Sequence, residues 1–153
     1  MAPLVRTGGS RHTGLAALPH RNIHSAAPNI DSCSIEKLSD GSYFETIITS
    51  DSSAPTEYSR SNSITKTKTT YYKSSNGTIK WTLSVKGTFS YNGKSSSCIS
   101  CSHSTTHAKD WSIKSSSSKR NGNSATATAT ASNYSSSITR SVTLTCSANG
   151  KVY

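Results

Sequence analysis

The stretch "TIKWTLSVKGTFSYNG" (78–93) constrains the fold most, because apolar and polar residues alternate along most of its length. The residues of one parity are Ile79, Trp81, Leu83, Val85, Phe89 and Tyr91. The residues of the other parity are Lys80, Thr82, Ser84, Lys86, Thr88 and Ser90. Successive side chains of a strand point to opposite faces, so this pattern predicts a long strand with one buried face. Gly87 lies on the buried parity, where it predicts a bulge, a bend or a close backbone approach.

Other segments also have the residue patterns of short strands and turns. The predicted strands are "SYFETIITS" (42–50), "ITKTKTTYY" (64–72), "DWSIKS" (110–115), "SATATATAS" (124–132) and "SITRSVTLTC" (137–146). Asn-Gly pairs recur between or after them, and both residues of such a pair accept the positive φ of a tight hairpin turn. The segment "SSSSKRNGNS" (115–124) is predicted to be a polar turn. The chain is therefore predicted to be all-β, an antiparallel immunoglobulin-like β-sandwich of about six to seven strands.

The composition is compatible with a thin β structure. The chain has 34 Ser and 20 Thr among its 153 residues, and only 31% of its residues are hydrophobic. Such a chain cannot build a large aliphatic core, but strands can hide one face and expose Ser and Thr on the other. Disorder is the competing interpretation, since low hydrophobicity and high net charge both disfavour folding.

The formal net charge of +10 is unevenly distributed. Residues 1–29 carry +3, residues 30–57 carry −5 and residues 58–153 carry +12. The apolar run "GLAALP" near the start is shorter than the ~7–15 residues of a signal-peptide core. We therefore divide the chain into a disordered leader or an altered or absent signal region (1–30), an acidic N-terminal strand and linker (31–62), and a basic Ser/Thr-rich β-sandwich domain (63–153).

The basic part of the chain could attract polyanions such as nucleic acid, anionic lipid or wall polymers. The candidate contacts for a polyanion or glycan are Lys66, Lys68, Lys80, Lys86, Lys114, Lys119 and Arg120. In 64–72 the charges share one face, which is typical of an exposed or edge strand. The alternative is that scattered lysines on outward positions only keep a Ser/Thr surface soluble.

The segment "CISCSHSTTH" (98–107) concentrates chemistry-bearing residues, but its spacing suits none of their usual sites. Cys98, Cys101, His103 and His107 resemble two zinc-ligand pairs, yet a zinc finger has a dozen or so residues between its pairs. A Cys–His nucleophile with Asp110 would have all its members in one segment, whereas such triads are assembled from distant segments. A redox pair would need a helix N-terminus, and none is predicted. We predict a polar loop with solvated histidines, no catalytic residues and no cofactor.

The four cysteines permit three disulfide pairings. Cys146 continues the inward parity of its strand, so an inter-sheet disulfide with Cys98 is the favoured pair. Cys33 and Cys101 would then be a possible second pair that ties the acidic segment to the domain. A Cys98–Cys101 bridge is the weaker option because it encloses only two residues. All of these pairings require an oxidising compartment.

Several runs resemble an uncharacterised family of small secreted Ser/Thr-rich β-domain proteins of Gram-positive, often gut-dwelling, bacteria. They are "LSDGSYFET" (38–46), "SITKTKTTYYKSSNGTIKWTLSVKGTFSYNGKSSSC" (63–98), "DWSIKSSSSKRNGNSATATATA" (110–131) and "SVTLTCSANG" (141–150). The resemblance implies export and offers no established activity or catalytic residues. It also implies that the positions of Cys98 and Cys146 are the usual cysteines of the family.

We therefore expect a secreted, non-enzymatic β-sandwich that binds an anionic or glycan surface, such as a cell-wall polymer or mucin. The alternative is a secreted antibacterial or toxin-like effector, which small size and basic charge permit. A nucleic-acid-binding module is disfavoured because no aromatic residue is interleaved with basic residues on an outward strand face. No apolar stretch approaches the ~20 residues of a membrane-spanning helix.

Overall fold

The computed structural model describes residues 28–51 and 62–153, and these residues are all-β. The strands are β1 (Asn29–Lys37), β2 (Tyr43–Ser50), β3 (Asn62–Lys73), β4 (Ile79–Tyr91), β5 (Ser96–His107), β6 (Ser112–Asn121), β7 (Ser124–Ser132) and β8 (Ser137–Thr145). They form a five-stranded and a three-stranded antiparallel sheet, which confirms the predicted sandwich. Nothing in the described ranges is a helix of the length and apolar character that a bilayer crossing requires.

Each sheet is a meander, because its strand order follows the chain: β1 to β5 in one sheet and β6 to β8 in the other. An immunoglobulin domain instead connects its two sheets by Greek-key crossovers. The likeness to that fold therefore lies in the two packed layers and not in the order of the strands.

The central strands were all predicted, and three of the four edge strands were missed in whole or in part. β2, β3, β4, β7 and β8 all match predicted runs. The predicted loop at 98–107 is wrong, because this segment is β5, and most of the predicted turn at 115–124 belongs to β6. β1 had no counterpart in the prediction. All three lie at edges of the sheets, although the predicted strand at 110–115 overlaps the start of β6. The fourth edge strand, β8, was predicted, and its inward residues Val142 and Leu144 are buried.

The core lies between β7 and the middle of the larger sheet. The inward alanines of β7 are all buried: Ala125, Ala127, Ala129 and Ala131. The bulky inward residues of β4 are buried as well: Trp81, Leu83, Val85 and Phe89. β7 packs against β4 and β5, while β8 packs against β3 and β4. Small residues on one layer and large residues on the other let the two sheets approach closely and fill the space between them.

Gly87 lies where the two sheets approach each other closely. A Cβ at this position would lie 2.8 Å from Cε2 and Cζ of Phe89 and 3.0 Å from Cβ of Ala125. The predicted close approach is therefore confirmed, and a bulge between Thr88 and Phe89 in the pairing with β5 accompanies it.

The high content of Ser and Thr is explained by their positions on the outer faces of both sheets. Hydroxyls pair across neighbouring strands: Thr126 with Thr143 (2.9 Å), Thr128 with Ser141 (2.7 Å), Thr130 with Thr139 (2.8 Å) and Thr65 with Thr88 (2.9 Å). Cross-strand hydroxyl pairs of this kind stabilise a sheet, and they favour threonine, a β-branched residue, on its exposed face.

The predicted Asn-Gly turns are present, but only glycine takes the left-handed conformation. Gly77 and Gly93 have φ angles of +86° and +84°, and no described residue other than glycine has a positive φ. Asn76 contributes differently, because its Oδ1 accepts a hydrogen bond from the Thr78 backbone N–H at 3.1 Å. The turn therefore needs glycine for its backbone and asparagine for its side chain.

The acidic segment is part of the same sandwich, because β1 and β2 extend the sheet that contains β3 to β5. Its carboxylates pair with basic side chains: Asp31 with Lys66 (2.6 Å), Glu36 with Arg140 (2.7 Å), Asp51 with Lys86 (2.5 Å) and Glu45 with Lys73. Asn29 and Ile30 of the predicted leader belong to β1, and the rest of that leader up to residue 27 lies outside the described residues. Most of the linker predicted within 31–62 lies in 52–61, also outside them.

The larger sheet extends beyond the smaller one on the side of β1 and β2. There the side chain of Arg140, in β8, covers the inner face of the larger sheet. Its guanidinium lies 4.3 Å from the centroid of the Phe44 ring. The same guanidinium donates a hydrogen bond to Glu36 of β1. Arg140 lies on the inward parity of β8, so it takes the place that a further strand would occupy in a full sandwich.

Replacement of Arg140 by alanine is expected to lower the free energy of unfolding by about 1–2 kcal/mol, most of it from the lost stack on Phe44. Arg140→Lys keeps the charge but loses the planar stack, so it should recover only part of this loss. Urea denaturation of the two variants measures the difference. Equal stability of wild type and Arg140→Lys would contradict a role for the stacked guanidinium.

Candidate functional site

Two of the predicted polyanion contacts do not lie on an exposed face. Lys66 and Lys68 belong to β3, a central strand, and share the inward parity of the fully buried Thr70. Lys68 donates a hydrogen bond from Nζ to the Thr143 carbonyl of β8 at 2.9 Å, and burial lowers the pKa of this lysine. The expectation of a charged exposed strand face is therefore wrong, because the smaller sheet leaves room for two lysines along its border.

The other predicted contacts are dispersed. Lys80 and Lys86 lie on the outer face of β4, where they pair with Asp110 (3.0 Å) and Asp51 (2.5 Å). Arg120 donates a hydrogen bond to the Ile99 carbonyl at 2.5 Å. Lys114 and Lys119 form no ion pair with any described residue and lie toward opposite ends of β6. The seven residues therefore do not form one basic surface.

The structure contains no disulfide, and all four cysteines carry free thiols. The predicted Cys33–Cys101 pair is wrong because these residues lie on β1 and β5, at opposite edges of the five-stranded sheet. Four strand spacings of about 4.8 Å separate them by about 19 Å. Disulfides join Cα atoms about 4.4–6.8 Å apart.

The predicted Cys98–Cys146 bond is also absent, although both side chains are buried in the core as expected. The backbone N–H of Cys98 donates to Gly122 and that of Cys146 donates to Asn123, so both cysteines adjoin the turn between β6 and β7. Their Sγ atoms hydrogen-bond to the nearby carbonyls of Ser100 and Ser147. Burial raises the pKa of both thiols, which keeps them protonated at neutral pH. They behave as small apolar side chains.

The histidines of the same strand make ordinary hydrogen bonds. The ring of His103 lies between the Ser118 hydroxyl (Nδ1, 2.9 Å) and the Ser116 hydroxyl (Nε2, 3.1 Å) of β6. His107 Nδ1 is 2.9 Å from the Ala108 carbonyl. The predicted solvated loop histidines are therefore strand residues, and His103 bridges the two sheets. Across ranges 28–51 and 62–153, no cluster of three His, Cys, Asp or Glu side chains is arranged to hold a metal ion.

One end of the sandwich gathers four chain connections. They are the turns at 38–42, 74–78 and 133–136 and the loop at 108–111. Two clefts of about 290 Å³ and 270 Å³ open between them. The clefts share Asp110, Trp111 and Asn133, so they flank one ridge. Loops held at the end of a rigid sandwich are a common place for binding residues.

The first cleft combines cations with aromatic rings. It is lined by Lys109, Trp111, Lys114 and Tyr134, together with small polar residues. The Tyr134 side chain is fully exposed, while Trp111 is 5% exposed and packs its ring 5.4 Å from that of Tyr72. The cleft thus has a fixed aromatic base and one projecting ring.

The charges of this cleft are not balanced by its single carboxylate. Lys80 donates a hydrogen bond to Asp110, and this bond holds the pKa of that carboxyl below its usual range. Lys109 and Lys114 have no ion-pair partner within the described ranges. The local field is therefore positive, and it suits a ligand that carries anionic groups.

The second cleft is more neutral. Asp40 lines it and accepts hydrogen bonds from the hydroxyl and the backbone N–H of Ser42, which lower the pKa of Asp40. The Tyr72 hydroxyl donates to Ser42 at 3.1 Å and anchors this turn to the core. On the opposite turn, Asn133 Oδ1 accepts hydrogen bonds from the backbone N–H groups of Ser135 and Ser136. The loops that form the clefts are therefore fixed by their own side chains.

Sequence reasoning named only Lys114 and Lys80 among the residues of these clefts as binding candidates. It missed Lys109 and Tyr134, which come from different connections and meet only in the folded chain. The available signal was "SNYSSS" (132–137), where a bulky aromatic residue interrupts an otherwise small and polar turn.

Comparison with protein-family models finds no match, and comparison with the curated proteins and with the solved structures finds none either.

Proposed function

We propose that this protein is a secreted, non-enzymatic β-sandwich that binds an anionic or glycan polymer at a cell surface through the first end cleft. The observation that carries the proposal is the pair of unneutralised lysines, Lys109 and Lys114, beside the fully exposed ring of Tyr134. Export is part of the proposal because the sequence resembles a secreted family.

Each part of the cleft has a role in such binding. The two ammonium groups would contact phosphate or carboxylate groups of the polymer. The face of an aromatic ring carries partial negative charge and accepts the weakly positive C–H groups of a sugar ring. A single cleft of this size is at the lower limit of ligand pockets, about 300–1,000 Å³, so it suits one or two units of a longer chain.

The distribution of charge supports a local site over a diffuse basic surface. Five of the six acidic residues in the described ranges are paired with Lys or Arg. These ion pairs neutralise most of the central lysines and leave positive charge at the ends of the molecule. A polyanion would therefore bind at an end, not along the faces of the sheets.

The experiment measures binding to an immobilised anionic wall polymer across a salt series, with an uncharged glycan in parallel. The double variant Lys109→Ala, Lys114→Ala is expected to weaken binding about tenfold, because two exposed charge contacts contribute about 0.5–1 kcal/mol each. Tyr134→Ala should weaken binding to either polymer. Higher salt should weaken binding of the anionic polymer more.

The matched control is Lys94→Ala, Lys151→Ala, which removes the same charge at the other end of the molecule. It should leave affinity nearly unchanged. An equal loss in the two double variants would show that net charge and not the cleft governs binding. A failure to bind either polymer at low salt would refute the proposed function.

A further inference from the structure

A groove lies between the two layers, on the side where the larger sheet extends beyond β8. Residues 151–153 pair with the end of β8: Thr145 and Tyr153 exchange backbone hydrogen bonds of 3.0 and 3.1 Å, and Val152 forms a bridge with Cys146. Between this segment and the inner face of β1 and β2 lies a cavity of about 470 Å³, here called the side groove. It shares no lining residue with either end cleft.

The floor of the side groove follows the register of the larger sheet. Lys68 of β3 pairs with Ile48 of β2, and Ile48 pairs with Ser32 of β1. Neighbouring strands are about 4.8 Å apart, so this row extends about 10 Å from Lys68 to the outer strand. Thr46 and Ser34 form the next row of the floor. The floor therefore has a cation at its inner end, an apolar residue in its middle and hydroxyl groups farther out.

The wall of the side groove is formed by the end of the chain. Val152 is partly buried there, Tyr153 is 57% exposed, and Lys151 adds a second ammonium group. The volume of the groove falls within the range of ligand pockets, about 300–1,000 Å³. Such pockets typically combine apolar surface with a few polar groups that fix the orientation of the ligand. The side groove has this composition.

Lys68 is a half-buried cation without a counter-ion among the described residues. Its Nζ donates a hydrogen bond to the Thr143 carbonyl at 2.9 Å, and none of the ion pairs of the described residues includes it. The carboxylate that lines the groove, Asp31, is bound to Lys66 at 2.6 Å. Burial lowers the pKa of Lys68 because no opposite charge offsets its desolvation. Charges taken out of water are ordinarily paired, so this ammonium group favours an anionic ligand.

We propose that the side groove binds a small amphipathic anion, a carboxylate on an apolar chain, with the carboxylate at Lys68 and the chain between Ile48 and Val152. The carboxylate accepts a charge-assisted hydrogen bond from Nζ of Lys68. The apolar chain follows the floor toward β1, and Lys151 adds a second positive charge to the same groove. This site is independent of the polymer site proposed at the first end cleft, since the two have no residue in common.

Calorimetric titration of the full chain with octanoate, and with octanol as its uncharged match, tests the proposal. Octanoate is expected to bind about tenfold more tightly than octanol, because only the carboxylate bonds to Lys68. Lys68→Met keeps the length of the side chain without its charge and should remove this difference. The matched Lys94→Met removes a charge from the turn between β4 and β5 and should leave both affinities unchanged. Equal binding of the two probes by the wild type, or an equal loss in the two variants, would overturn the proposal.

A second variant and a mapping experiment locate the site without changing Lys68. Val152→Thr replaces a methyl group of the wall by a hydroxyl, so it should weaken octanoate and octanol alike. In nuclear magnetic resonance spectra of the wild type, octanoate should shift the backbone amides of Ser32, Ile48 and Val152. Shifts at Lys109 and Tyr134 instead would place octanoate in the first end cleft and would overturn the assignment to the side groove.

Discussion

Trp81→Ala is expected to lower the free energy of unfolding by about 3–5 kcal/mol, as deletion of a large buried aromatic side chain usually does. The Trp81 side chain is fully buried, and its ring lies 6.1 Å from that of Phe44 and 6.2 Å from that of Tyr72. Its removal leaves a cavity between the sheets, and the facing strand β7 carries only alanine on its inward positions, so it has no large side chain to fill that space. Since domains of this size are stable by about 5–15 kcal/mol, the variant should be close to unfolding.

The informative control is Trp81→Phe. The indole N–H of Trp81 is buried and has no hydrogen-bond partner among the described residues, so the tryptophan has a polar cost that phenylalanine avoids. We expect Trp81→Phe to lose only about 1–2 kcal/mol. Urea denaturation followed by the fluorescence of Trp111, the second tryptophan of the chain, measures both variants. If phenylalanine were as damaging as alanine, the packing of the aromatic cluster would not be the cause.

Gly87→Ala is expected to lower the free energy of unfolding by about 1–3 kcal/mol, because the added methyl overpacks the centre of the sandwich. The backbone of Gly87 does not have a left-handed conformation, so alanine would meet no backbone strain there. An alanine in a strand would ordinarily be stabilising by about 0.5–1 kcal/mol relative to glycine. A loss of stability would therefore show that close packing dominates. A gain would show that the intrinsic preference of strands for alanine over glycine dominates.

Phe89→Leu provides the test of cause for Gly87. Leucine at position 89 removes the ring atoms that an alanine Cβ at position 87 would contact at 2.8 Å. In a double-mutant cycle, the loss in the double variant should be smaller than the sum of the two single losses by about 0.5–3 kcal/mol. Additive losses would mean that the ring of Phe89 does not prevent a side chain at position 87.

The strands were predicted best where one of their faces is buried. β4 and β7 alternate strictly because one face of each packs against the opposite sheet and the other faces water. β1 and β5 lie at the edges of the larger sheet, where few side chains are covered, so their sequences carry almost no alternation. A polar edge strand and a polar loop have the same composition, and only the ladder of the neighbouring strand distinguishes them.

The candidate site was harder to predict because it depends on partners that are far away in the chain. The count of lysines was visible in the sequence, but the pairing of Lys66 with Asp31 or Lys86 with Asp51 was not. Lys109 and Tyr134 are also far apart in the sequence, so their position in the same cleft could not be predicted. The disulfide prediction failed for the same reason: inward parity was correctly read for Cys146, but parity alone does not determine a bonded pair.

The strand order within the two sheets also affects how the chain can fold. Each strand pairs only with its neighbour along the described chain, so every ladder can grow from a hairpin. Greek-key sandwiches must join strands that are far apart in sequence, and their folding is slow because long loops must close first. Here the docking of one finished meander onto the other is the main non-local step. The rate of folding should therefore depend mostly on formation of the interface between β4 and β7, where Gly87 and the alanines meet.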